Sequence, residues 1–267
     1  MRSTYALLIM LLALASCSGE KKNNVEEPSS YVKPIKSTPT ENLPIPDNRF
    51  STTYKILLFG NSHVSGLGNL IKILVNNGIP NANITFTNAS GGFLDNEGSY
   101  QYRADLLQNT SWTHVILQGQ KYSQSGITVY PTLSAQIWID KAKQHQITPI
   151  LFPEHPQKGS TTEGKQVHDI HIGITTQQKS CIAPVGLTWN KVSQIEPLLN
   201  LHNNDGNHAN LMGQLLTSYV FYEVITGESA DLLPFIESIA VTESNQQILR
   251  QLASETIQAN LPCLFDS

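Results

Sequence analysis

The chain has 267 residues, with 17 Lys and Arg against 21 Asp and Glu, a formal net charge of −4, and 40% apolar side chains. A mildly acidic chain with no basic run in its body lacks the electrostatic footprint of a nucleic-acid binder, so no such partner is expected. The apolar share is enough for one sizeable core.

Residues 1–16 carry one positive charge, at Arg2, and then an apolar stretch from Ala6 to Ala15. That stretch is too short to span a bilayer and reads as the core of a signal peptide. Leu14-Ala15-Ser16-Cys17 resembles the lipobox of bacterial lipoproteins. The resemblance implies cleavage before Cys17 and acylation there; an ordinary secretory signal with a chance cysteine is the alternative. Several acyl chains on one residue anchor stably, where a single chain is marginal. Ser18, in place of an aspartate, points to the outer membrane of a bacterial envelope. Residues 18–52 hold five of the 14 prolines among Ser, Thr, Asn, Lys and Glu. Residues 17–52 therefore read as a lipidated cysteine and a flexible tether, with an r.m.s. span of about 30 Å. Residues 53–267 are the expected folded domain.

In that body, short apolar runs alternate with helical patterns. Ile56–Phe59, Ile84–Thr87, His114–Leu117, Thr148–Phe152 and Ile182–Val185 read as buried parallel strands. Leu67 to Gly78, Leu133 to Gln144, a weaker 161–179, Asn210 to Ile225 and Thr242 to Asn260 read as helices. Repeated β-α alternation predicts an α/β fold, a three-layer α/β/α sandwich on a five-stranded, mainly parallel sheet. In such sheets ligands bind beyond the carboxyl ends of the strands. Ser62, Ser90-Gly91-Gly92 and Gln118-Gly119-Gln120 all fall at such ends.

Ser62 is either a helix cap or a nucleophile. Asp205-Gly-Asn-His208 precedes the long helix, and a carboxylate and imidazole three residues apart on a turn can touch. The aspartate then fixes one ring nitrogen as the free base that a serine hydroxyl needs. These blocks resemble the SGNH (GDSL-like) hydrolase superfamily. "KILLFGNSH" is similar to its first block, with Gly-Asn-Ser for Gly-Asp-Ser, "NASGG" to its second, "VILQGQ" to its third and "DGNHANLMGQLL" to its last. The tail "GQLLTSYVFYEVITGES" is similar to a bacterial subgroup.

The resemblance implies a flavodoxin-like fold with Ser62 as nucleophile, His208 as base and Asp205 orienting it. The amides of Ser62 and of Gly92 (or Gly91) are the implied oxyanion donors. The family's third donor is an asparagine side chain. This chain has none in its third block, so Gln120, with Gln118 as alternate, is the expected substitute. The implied activity is hydrolysis of carboxylic esters, small acyl groups on carbohydrate first among them. A non-catalytic glycan-binding lipoprotein and a lipase acting on lipid acyl esters are the alternatives.

No cofactor is implied. His63, His155, His168, His171 and His202 match no ligand string and read as surface residues, so no metal is expected. Among the aromatic residues, Phe93, Tyr100 and Tyr122 are candidates for a substrate wall, and Trp189 reads as core. Cys181 and Cys263 could pair in an oxidising compartment, and spacing alone leaves this open.

Overall fold

The first strand, β1 (Thr53–Gly60), buries side chains of both parities, as a strand covered on both faces must. Its alternation divides the core. Ile56 and Leu58 face one apolar cluster, and Leu57 and Phe59 face the other. The structure, a computed structural model, describes residue 39 and residues 41–265. The expected signal segment, Cys17 and residues 18–38 lie outside the described residues.

The further strands are β2 (Asn83–Ser90), β3 (His114–Gln118), β4 (Thr148–Phe152) and β5 (Cys181–Ile182). They form one sheet in the order β2-β1-β3-β4-β5, every pairing parallel. The helices are α1 (Leu67–Gly78), α2 (Glu97–Asn109), α3 (Leu133–Gln144), α4 (Glu163–Gln177), α5 (Val185–Ile195), α6 (Leu211–Thr226) and α7 (Glu243–Ala259). Residues of α1, α5, α6 and α7 build the first cluster; α2, α3 and Ile174 of α4 build the second. The expected α/β/α sandwich is therefore the observed one, and its sheet is wholly parallel.

Two elements differ from the sequence reading. The expected fifth strand stops at Ile182, because Val185–Ile195 is helical from Pro184 onward. Val185, Trp189 and Val192 of that helix are all fully buried, so its stripe has helical rather than alternating period. The helix α2 escaped sequence detection because its buried face carries Ser99 and Arg103 beside Ala104 and Leu107. A polar buried face leaves little amphipathic signal.

Part of the stretch expected as a tether is bonded to the body. Asn42 Oδ1 accepts from Lys143 Nζ at 2.9 Å and from the Lys179 amide at 2.8 Å. Asn48 Nδ2 donates to Thr113 O at 2.9 Å, and Ile45 is buried in the first cluster. Cys181 and Cys263 form a disulfide, and Pro262 O accepts the Ile182 amide at 2.7 Å. The C-terminal segment thus covers the outer edge of β5. No described helix is long and apolar enough to cross a membrane.

Candidate active site

The sheet order reverses direction between β1 and β3, which opens a crevice at the carboxyl ends of those strands. The chain leaves β1 at Gly60 and enters a single 3₁₀ turn, Ser62–Val64, at that crevice. Asn61 caps the turn, its Oδ1 accepting the His63 amide at 2.9 Å. Ser62 is therefore not a helix cap; α1 starts later, capped by Gly66.

The Ser62 hydroxyl is exposed and lies 2.8 Å from His208 Nε2. His208 Nδ1 is 2.7 Å from Asp205 Oδ2. The loop that carries both is a tight reversal between His202 and Ala209, closed by the Asn203 amide donating to His208 O at 2.8 Å. Asp205 Oδ1 accepts the backbone amides of Asn207 and His208, each at 2.9 Å. These bonds, the His208 amide and ring first, hold its carboxyl well below the usual carboxylate range, so it stays ionised. An ionised Asp205 accepts a hydrogen bond from Nδ1–H, which leaves Nε2 without a proton and facing the Ser62 hydroxyl. The three residues singled out in the sequence are thus brought into one hydrogen-bonded array.

Gly91 and Gly92 follow β2, whose register with β1 pairs Gly60 with Ser90. Ser62 and Gly92 each lie two residues beyond that pair, so their loops leave the sheet side by side. Gly92 has φ +73°, a conformation side chains resist. A Cβ on Gly91 would meet Ser99 Cβ at 2.5 Å. Neither the Ser62 nor the Gly92 amide donates to any described protein acceptor.

The two glutamines do not match the expected third donor. Both Nε2 hydrogens of Gln120 are engaged, by Lys121 O at 3.0 Å and Pro131 O at 3.2 Å. Gln118 is fully buried beneath the turn that carries Ser62. Its Oε1 accepts the Asn61 amide at 2.9 Å, and its Nε2 donates to Glu154 Oε2 at 2.6 Å. A donor to substrate must be open to substrate. Gln118 instead props the turn that carries Ser62, a role that depends on cross-strand geometry and has no local signal.

The histidines also depart from expectation. His155, His168, His171 and His202 are buried rather than on the surface. His63 is half-buried, its ring stacked on His208 at 5.1 Å between centroids and 5.1 Å from the His155 ring. His155 in turn stacks on Trp189 at 4.0 Å. Among the described residues no three His, Cys, Asp or Glu are grouped to hold a metal. Of the aromatic candidates, Phe93 is exposed beside Gly92, while Tyr100 packs on Trp138 and the Tyr122 hydroxyl donates to Glu163 Oε1 at 2.9 Å.

Buried neutral histidines make stability depend on pH. Burial pushes His114 and His155 down to about 3 and His171 to about 4. Between those values and the ordinary 6.5 the unfolded chain binds more protons than the folded one, so stability falls as pH falls through this window. Glu223, raised by its burial, works the other way, but it is one group against three. The expected loss from pH 7 to pH 5 is on the order of 1–2 kcal/mol per histidine. Urea midpoints at pH 7, 6 and 5 measure it, and a flat profile would contradict neutral burial.

No family model matches this chain, and no curated protein matches it. Solved structures do. A DUF4886 family protein from Bacteroides uniformis aligns with TM-score 0.59 at 14% identity, over 80% of this chain and 98% of its own. An acetylxylan esterase from Geobacillus stearothermophilus, in a catalytic-mutant form, aligns with TM-score 0.51 at 14% identity, over 66% and 95%. At such identities the likeness is one of fold alone, an α/β fold on a parallel sheet.

Proposed function

We propose that this chain is a serine ester hydrolase of the SGNH type that removes small acyl groups, acetyl first among them, from carbohydrate or similar esters. The observation that carries this reading is the unbroken Ser62–His208–Asp205 array, with contacts of 2.8 and 2.7 Å. In the first half-reaction Ser62 Oγ attacks the ester carbonyl carbon while His208 Nε2 takes its proton. The carbonyl oxygen becomes an oxyanion facing the free amides of Ser62 and Gly92. Collapse expels the alkoxide, which receives the proton from His208, and leaves an acyl-Ser62. Water, deprotonated by the same Nε2, then attacks the acyl carbon and releases the carboxylic acid and the free serine. Asp205 keeps the imidazole in the required tautomer throughout.

The substrate class rests on two supports. One is the likeness in fold to an acetylxylan esterase. The other is the openness of the site: the side chains of His208 and Asp205 are 36% and 49% exposed. An open triad suits a hydrated sugar better than a long acyl chain, which needs a buried apolar groove.

The disulfide favours an oxidising compartment. With the lipobox-like segment it supports a domain tethered to the cell envelope through Cys17. The mass of the mature N-terminal peptide tests the anchor, and a free Cys17 would rule it out.

The reaction itself is tested by treating the protein with a fluorophosphonate and mapping the adduct by peptide mass. Label on Ser62, absent in Ser62→Ala and His208→Ala, is the expected result. A folded protein that takes no label would turn the reading to glycan binding without hydrolysis.

A further inference from the structure

The proposed reaction uses three side chains and two amides, and it leaves a buried guanidinium without a role. Arg103 of α2 is fully buried, and no carboxylate of the described residues pairs with it. Burying a cation costs several kcal/mol unless its donors are satisfied. Its donors go to one short segment. Nη1 donates to Phe93 O at 3.0 Å, Nη2 to Gly92 O at 3.0 Å and Nε to Ala89 O at 3.4 Å. Its Cζ lies 4.9 Å from the centre of the Phe59 ring, which gives the cation an aromatic face in place of an anion.

The same side of the helix grips the remaining carbonyl of the segment's turn. Asn96 Nδ2 and Ser99 Oγ both donate to Gly91 O, at 2.7 and 3.2 Å. Positions 96, 99 and 103 are three and four apart, the spacing that puts side chains on one helix face. Four carbonyls between residues 89 and 93 are therefore held by α2 and its N-cap residue, Asn96. In a planar trans peptide the N–H points opposite to the preceding C=O. Holding Gly91 O toward α2 turns the Gly92 N–H away from α2, and that N–H donates to nothing in the described protein. From the other side, Gly119 O accepts the Leu94 amide at 2.9 Å, so the segment is pinned between α2 and the end of β3.

We propose that α2 is a positioning device for the oxyanion hole. Asn96 and Ser99 set the direction of the Gly92 N–H through the Gly91 carbonyl. Arg103 locks the flanking peptides and adds an unpaired positive charge behind the amide. This rests on the ester-hydrolase reading, with Gly92 as a donor. A fixed amide stabilises the transition state without reorganising, which matters most where the hole has only two donors.

The test uses the full chain, p-nitrophenyl acetate as substrate and phenylboronic acid as a tetrahedral-anion mimic, with active sites titrated by fluorophosphonate. For Arg103→Met the expected result is a fall of about 10²-fold in kcat per active site, in line with loss of one oxyanion donor, with KM little changed. Boronate affinity should weaken in parallel, and Arg103→Lys should recover part of both. A purely structural role would lower the melting temperature and the active fraction, yet leave kcat per site and boronate affinity within twofold. That outcome, in folded variants of an active wild type, overturns the positioning role alone. A wild type with neither turnover nor label overturns the ester-hydrolase reading and this one with it.

Should the Arg103 variants not fold, two others decide. Asn96→Ala combined with Ser99→Ala frees the Gly91 carbonyl. Gly119→Ala puts a Cβ 3.0 Å from Gly92 O and 3.2 Å from Phe93 Cα, against the opposite side of the same peptides. Both should lower kcat at least about tenfold with KM held; unchanged kcat in both overturns the proposal.

Discussion

Ser62→Ala is expected to lower kcat by about 10⁶-fold, and His208→Ala by a similar factor, with KM for a small ester little altered. The reason is geometric. Among the described residues Ser62 Oγ has one hydrogen-bond partner, His208 Nε2 at 2.8 Å, and either residue without the other is an unactivated hydroxyl or an idle imidazole. The double variant should therefore be no slower than either single one, since groups acting as one unit are not additive. Asp205→Ala should be milder, about 10²–10⁴-fold, because its carboxylate is half exposed and water can partly replace it at Nδ1. Steady-state kinetics on p-nitrophenyl acetate reads all four. Independent, multiplying effects of Ser62 and His208 would mean that the contact is not the catalytic one.

Loss of the Cys181–Cys263 disulfide should be the largest single effect on stability. The bond joins residues 82 apart. Chain entropy alone assigns about 4–5 kcal/mol to closing a loop of that length. For a domain of this size that corresponds to a drop of about 10 °C or more in Tm. It also ties down the segment after α7 that covers the edge of β5, so freeing it exposes a strand edge. Melting with and without a reductant, and of Cys263→Ser, measures the effect. A shift worth less than about 1 kcal/mol would mean that the C-terminal segment holds its place without the bond.

Much of the fold and of the site is legible in the sequence, and the parts that are not share a cause. The strands β1, β3 and β4 and the helices α1, α3, α6 and α7 announce themselves because one-sided or two-sided burial imprints a period on local sequence. The helix α2 does not, because its buried face bonds to carbonyls and so carries Ser and Arg. The short β5 merges in sequence with α5, since Ile182 and Val185 are both apolar and only the ladder to β4 ends between them.

Ser62, Asp205 and His208 were legible as a set because their residue types, order and positions at turn boundaries are local facts. Their meeting is not, since it requires two loops 146 residues apart to leave the same sheet edge. The glutamines mark the limit most clearly. Gln118 and Gln120 have the right chemistry for an oxyanion donor and the right place after β3. Their amides nevertheless go to Glu154 and to the loop carbonyls of Lys121 and Pro131. By itself, then, the sequence determined most of the elements and their order, and which side chains stand at the strand ends. Tertiary structure alone decided the cysteine pairing, the burial of the histidines and the partner of each amide. Periodicity records only whether a side chain faces the core; which atom it meets there depends on register and on chain far away in sequence.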